Sequence, residues 1–525
     1  MKSALAIVAA VTASPAFCCR CQRQIPGTLI TASKGDTLRI NVTNQLTDSS
    51  MRRSTTIHWH GLFQSGTAGE DGPAFGEFDL PLVQTDIPNL PFSVTQCPIS
   101  QFNSYTYEIP LHDQTGTFWY HSHLSSQYVD GLRGALVVYD PNDPHKALYD
   151  VDDESTVITL DDWYHTPAPT LQEQFFSTNN TALNAPVPDS ALINGKGRYV
   201  GGPEVERAVL KVQSGKRYRF RVINTSAIGS YTFAIEGHTM TIIEADGIAH
   251  EPLVVDSFDI YAGQRYSFIL EANQTVANYW VSAPMTVAAA GTNANLDATN
   301  VYAVLRYEGA PEAEPTTEQT TAMGNAPLVE ENLHALINPG APGGSDPADV
   351  VVNLAIGRST IDGSVAFTFN GVQYKPPTLP TLLQILSNNA TVDADFGTDE
   401  HTLTLPFNKT IELVITGGQT TLSIFSDGHV FDVVQSLGGS VINYVNPPRR
   451  DVVRVSNTGV ILRFRTDNPG PWFVHCHIDW HLEAGLAVVF AEAPSEIRAG
   501  TQKVTTSSSW DQLCPKYQAL SADLQ

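Results

Sequence analysis

The stretch "PWFVHCHIDWHLEAGLAVVF", residues 471–490, places His475 and His477 on either side of Cys476, with His481 five residues and Leu486 ten residues beyond the cysteine. Its flanks read as a strand. On an extended backbone side chains alternate, so His475 and His477 point one way and Cys476 the other. One tripeptide therefore touches two metal sites at once. A thiolate with imidazoles is the donor set of an electron-transfer copper, and His481 is within reach of the same ion. Leu486 cannot donate. In the axial position it leaves such a copper without an axial ligand and favours the reduced state.

Two more His-x-His pairs lie upstream: His58 and His60 in "TTIHWHGLFQ", and His121 and His123 in "GTFWYHSHLSS". A single pair of this kind arises by chance. Two pairs in extended, aromatic-bearing runs, with a third around Cys476, are far more specific. The competing reading is six buried, hydrogen-bonded core histidines. Read as ligands, the pairs face one another across a cluster of metals, and the backbone of Cys476 links both neighbouring histidines to the lone copper. Seven further histidines, at 112, 145, 165, 238, 250, 334 and 401, have no paired spacing and read as surface or structural residues.

A chain of 525 residues exceeds one ordinary core. Gly and Pro are plentiful and long helical periodicity is scarce, which suits an all-β protein of many short strands. A turn followed by an alternating strand recurs at "KGDTLRINVTNQL" from Lys34, "SGKRYRFRVINTS" from Ser214 and "FNKTIELVITGG" from Phe407, with a weaker echo, "AGQRYSFILEANQT", from Ala262. Such recurrence predicts related β-sandwich domains. Polar, Pro-bearing breaks divide the chain into 17–144, 145–308 and 345–500, with a linker at 309–344 and a tail at 501–525.

A net charge of -24 repels phosphate backbones and argues against nucleic acid as a partner. "MKSALAIVAAVTASPAF" reads as a secretory signal over 1–16, and no later run is long and apolar enough to span a membrane. N-glycosylation sequons stand at Asn41, Asn179, Asn224, Asn273, Asn389 and Asn408. A soluble, secreted monomer is expected.

Together with "DGPAF", "TQCPIS", "YEIPLHDQTGTFWYHSHLSSQY", "DGLRGALVVYD", "EGHTMTIIEADGI", "NPPRRDVV" and "WDQLCPKY", these motifs resemble the multicopper oxidases, most closely the fungal laccases, over about residues 24–518. The resemblance implies three cupredoxin-like Greek-key β-sandwich domains and four coppers per chain. One copper lies in the third domain, and a trinuclear cluster lies between the first and third. It implies one-electron oxidation of phenols or aromatic amines coupled to four-electron reduction of dioxygen to water. Lignin phenols, melanin precursors and plant phenolics fit equally as the reductant. By motif, His58 would bind the type 2 copper, and His60, His121, His123, His475 and His477 the type 3 pair. Cys476 and His481 would bind the type 1 copper, Leu486 would stand in its axial position, and Asp71 would orient a cluster water or proton. Cys97 and Cys514 would be bridged.

The chain departs from that pattern. The family block "HPFHLHGH" supplies three more ligands, and "LSIFSDGH" stands there, at 422–429. Leu422, Phe425 and Asp427 occupy the ligand positions, so the literal chain is predicted to hold an incomplete copper set. Codons for His-Pro-Phe-His-Leu read one base late spell Thr-Leu-Ser-Ile-Phe, the residues at 421–425, which suggests a reading-frame slip. Residues 76–93 interrupt a run that is nearly continuous in the family and read as an unspliced insert. The opening of the first domain is short, which predicts a bare sheet edge. The family's second disulfide is replaced by Val129 and Ala227, and Ile228 stands where many relatives carry a substrate-binding Asp. Two other functions compete: a ferroxidase-like or pigment-forming oxidase, and a copper-deficient, non-catalytic cupredoxin-like secreted protein.

Overall fold

The structure, a computed structural model, describes residues 8–11, 17–20, 25–75, 92–288, 291–319, 324–361, 364–418, 422–501, 503–521 and 524. Strands dominate, most of them paired into three successive sets of two sheets, with a separate two-stranded pairing of Ala74–Phe75 and Phe92–Ser93. The first set holds two four-stranded sheets between Val8 and Tyr139. The second holds two six-stranded sheets between Val157 and Tyr307. The third joins a six-stranded and a five-stranded sheet between Val350 and Glu492. No helix among the described residues is long and apolar enough to cross a membrane.

The recurring motif has a structural cause. Each copy turns through a left-handed residue, at Gly35, Gly215, Gly263 and Asn408. Each then enters a strand: Thr37–Thr43, Arg217–Asn224, Arg265–Glu271 and Thr410–Gly417. In the first, Leu38, Ile40 and Val42 alternate into the core, the period of a strand with one face covered.

One expectation at the N-terminus changes. Of segment 1–16, only Val8–Val11 is described. It is a strand antiparallel to Phe17–Arg20, and its Val11 meets Ile40. The first sheet's edge is therefore covered by a hairpin rather than bare, and removal of 1–16 as a signal would take one strand of that hairpin. The body of the 76–93 segment, 76–91, lies outside the described residues. Its two ends meet as antiparallel partners, Ala74 with Ser93 and Phe75 with Phe92.

The replaced block is built into the third domain. Leu422–Ser426 is a buried strand, paired through Leu422 with Val455 and through Phe425 with His475. Val129 and Ala227 are both buried in one apolar cluster, so packing stands where the second disulfide is missing. Cys97 and Cys514 are bonded. One sequon is corrected: Asn224 is fully buried and its amide donates to the carbonyls of Gly229 and Ile260, which leaves no room for a glycan. Asn179, Asn273, Asn389 and Asn408 are exposed, and Asn41 is half-buried.

The middle set of sheets clamps the outer two. Arg265 makes a bidentate pair with Asp451 at 2.6 and 2.7 Å and donates through Nε to the Thr117 carbonyl at 3.0 Å. Glu244 accepts from the Thr117 amide at 2.8 Å while pairing with Arg219 and Arg221. Thr117 lies in the strand Gly116–His121, so these contacts fix that histidine's strand against the rest of the molecule.

Candidate metal centre

Gly470–Cys476 is the central strand of the five-stranded sheet and is buried throughout. Cys476 Sγ lies 3.5 Å from His481 Nδ1, which the short helix Asp479–Glu483 brings back over the strand end. The Leu486 amide donates to the His481 carbonyl, and the Cys476 amide donates to the Leu486 carbonyl. Leu486 is thus pinned beside the pair. Burial pushes the Cys476 thiol up to about 12, and burial, aided by Arg358, pushes His481 down to about 3. A soft cation that displaces the thiol proton resolves both penalties.

On the other face of the same strand, His475 and His477 meet the two pairs from the first domain. The strands His58–His60 and Gly116–His121 lie antiparallel, with His58 opposite His121. The His58 ring is 5.3 Å from that of His121 and 5.6 Å from that of His123. His60 is 4.9 Å from His477, and His123 is 5.3 Å from His475. One nitrogen each of His58, His60 and His121 falls within 4.8 Å of the others. All six rings are buried.

Protonation suits metal binding. His58 Nδ1 donates to the Asp71 carbonyl at 2.9 Å, His121 Nδ1 to Ser122 at 2.8 Å, and His475 Nδ1 to Cys476 at 3.0 Å. A carbonyl only accepts, so these rings carry the proton on Nδ1 and turn a lone pair on Nε2 inward. The Nε2 atoms of all three are buried without a hydrogen-bond partner. Burial holds His58, His60, His121 and His475 well below the usual imidazole range, His123 at about 4 and His477 at about 3. Neutral imidazoles at this density, three of them with orphaned Nε2 atoms, fit copper.

The three replaced positions do not. Leu422 packs in the apolar cluster around Cys476 and offers no donor. Phe425 lies among the imidazoles: its ring is 5.7 Å from His58, 5.8 Å from His475 and 5.9 Å from His477. Asp427 Oδ1 is 3.4 Å from His58 Nε2, and Asp71 Oδ1 is 3.5 Å from His58 Nδ1. Burial raises the Asp71 carboxyl to about 8, and burial together with the facing Asp71 raises Asp427. Asp71, a sequence candidate for orienting a water or proton, also sets the His58 tautomer through its backbone carbonyl.

Sequence reasoning missed the facing of Asp71 and Asp427, and the role of the middle domain. Gly263 approaches so closely that a Cβ there would stand 2.8 Å from His477 Cδ2. The visible signals were "AGQRY", where the turn needs glycine at φ 85°, and the Arg-Asp step of "NPPRRDVV". A cleft of about 440 Å³ reaches this end of the molecule, lined among others by Ile228, Ser423, Ile478 and Asp259. Asp259 accepts from Thr232 at 2.7 Å, so a carboxylate stands on this cleft's wall although 228 is Ile.

Models of multicopper oxidase domains match residues 9–81 with 90–143, 154–310 and 374–496. The chain is 71% identical to Laccase-4 of Thanatephorus cucumeris over 466 residues, 88% of this chain and 84% of that one. It is 48% identical to Laccase-2 of Agaricus bisporus over 504 residues, 96% and 91% of the two chains. Among solved structures, the laccase from Botrytis aclada superimposes with a TM-score of 0.77 at 30% identity, covering 94% of this chain and 87% of that one. Fet3p, described as a multicopper oxidase that functions in iron import, does so with 0.81 at 27%, covering 97% and 94%. With three domain models in order and relatives aligned over nearly its whole length, the chain belongs to the multicopper oxidase family, among the fungal laccases.

Proposed function

We propose that this chain carries the machinery of a laccase, oxidising phenols or aromatic amines one electron at a time and passing the electrons to dioxygen. We further propose that Leu422, Phe425 and Asp427 leave its copper set incomplete. The observation that supports the first statement is the strand Gly470–Cys476, which turns Cys476 toward His481 on one side and His475 and His477 toward four more histidines on the other. Bound copper supplies the redox chemistry. The protein supplies the rest: buried, neutral imidazoles with fixed tautomers, a dry wall at Leu486, and the short covalent path from Cys476 to its two neighbours. By position, Cys476 and His481 hold the lone copper. His58, His60, His121, His123, His475 and His477 hold the cluster. The cleft beside Ile478 receives the aromatic reductant, with Asp259 rather than residue 228 supplying a carboxylate to its hydroxyl or amine.

Secretion as a monomeric glycoprotein belongs to the same proposal. It is supported by the Cys97–Cys514 disulfide and by exposed sequons at Asn179, Asn273, Asn389 and Asn408.

The test compares the chain with L422H/F425H/D427H after copper loading. The expected result is fewer than four coppers and no blue absorbance in the chain, with both restored, and phenol turnover gained, in the triple variant. Four coppers in the unaltered chain would overturn the incompleteness. A fully loaded triple variant that prefers ferrous iron to phenols would replace the laccase reading with a ferroxidase.

A further inference from the structure

The replacement at 427 adds something as well as removing a ligand. Around His58 it gathers one imidazole and two carboxyl groups, and one donor atom from each of His58, Asp71 and Asp427 lies within 4.8 Å of the others. All three side chains are at most 1% exposed. His58 Nε2 and both oxygens of each carboxyl have no hydrogen-bond partner beyond this group. Buried polar atoms are seldom left in that condition, because each forfeits its hydration without compensation.

We propose that, with Asp rather than a histidine at 427, His58 is withdrawn from the copper cluster and forms with Asp71 and Asp427 a mononuclear site for a divalent cation of the oxygen-and-imidazole class, typified by Mn2+.

The spacing fits. Donors bound to one ion at about 2.1 Å stand roughly 3.0–3.5 Å apart, and His58 Nε2 and Asp427 Oδ1 are already separated by 3.4 Å. The imidazole is set for the role, since its Nδ1 is held by the Asp71 carbonyl, its Nε2 lone pair faces the Asp427 carboxyl, and the Asp71 carboxyl stands 3.5 Å from the ring's other nitrogen. The charge fits too: two carboxylates neutralise one divalent ion in a site that water does not reach. The donor type selects against redox copper, because hard oxygens disfavour the reduced, soft ion that a copper oxidase must pass through. Phe425 stacks on the neighbouring imidazole, His60, and offers no donor of its own, so His58 is the imidazole grouped with the two carboxyls. Binding is coupled to loss of the carboxyl protons, so uptake of the ion releases acid.

This inference does not rest on oxidase activity, and its test measures none. The full chain, freed of metal, is dialysed against Mn2+, and bound ion is counted by elemental analysis and electron paramagnetic resonance. One Mn2+ per chain is expected. Binding weakened at least tenfold is expected in both D427N and D71N, whose thermal unfolding without metal serves as the folding control. Pulsed resonance on the unaltered chain should detect coupling from a single histidine nitrogen, a readout that needs no variant to fold. Absence of uptake at millimolar Mn2+ overturns the site, and the carboxyl pair then shares a proton instead. Coupling to two or more nitrogens, or binding indifferent to both substitutions, overturns it as well.

Discussion

The ring of Phe425 stacks on the ring of His60, with centroids 3.8 Å apart and planes inclined by 17°. An aromatic side chain thus fills space that six inward-facing imidazoles otherwise surround. Replacement by histidine exchanges that packing for a donor. F425H is expected to lose about 1–3 kcal/mol in the absence of metal, the cost of a buried polar ring without a partner. Copper should restore the loss and raise the copper count per chain. Thermal unfolding with and without copper checks this, and a variant whose melting temperature ignores copper would contradict it.

The clamp between domains is electrostatic. Arg265 and Asp451 are fully buried and bidentate. Truncating one partner strands a charge in the interior, so R265M is expected to destabilise the chain by roughly 3–5 kcal/mol. Removing both charges, in R265M/D451L, should recover much of that. Denaturant unfolding of the two variants measures the difference. A double variant less stable than the single one would show that the pair contributes more than mutual compensation.

Acid should weaken the same junction. Glu244 is buried, yet Arg219, Arg221 and the Thr117 contacts outweigh burial and lower its carboxyl from 4.5 to about 2. A carboxyl depressed in the folded state stabilises it above the unfolded value, and that contribution fades as pH falls through the folded one. The window is therefore between about pH 4.5 and 2, and the contribution lost is roughly 3 kcal/mol. E244Q should be less stable at neutral pH and show a shallower decline over that window. Equal acid slopes for the two proteins would refute the assignment.

The insert is a local excursion by its anchor points. Phe75 and Phe92 are antiparallel partners, so the chain leaves and re-enters at one place. Replacing 76–91 with a two-residue type I′ turn such as Asn-Gly should change stability by less than about 1 kcal/mol, since loop closure depends only weakly on length. Calorimetry of the shortened chain tests this. A large loss would mean that the segment packs on the body of the protein.

Much of this architecture was legible because its signals are local. The period-two placement of His475, Cys476 and His477 fixes which side each faces once the segment is a strand, and the strand follows from its apolar flanks. The recurring turns were legible because left-handed positions favour glycine or asparagine. Pairings between remote positions were not legible. Nothing near Asp71 announces Asp427, which lies in another domain, and nothing in "AGQRY" reveals that its glycine abuts His477. The burial of Asn224 was hidden for a related reason: a sequon is defined by three residues, whereas exposure depends on the whole sheet around it.

His60 Nδ1 and His477 Nε2 stand 3.2 Å apart although 417 residues separate them in the chain. A growing polypeptide therefore carries four of the six imidazoles for most of its synthesis without the strand that completes them. The six-histidine centre is complete only in molecules whose two ends have already found each other across the middle domain. A chain clipped or misassembled between the two histidine strands would present two separated half-shells in place of the shared centre.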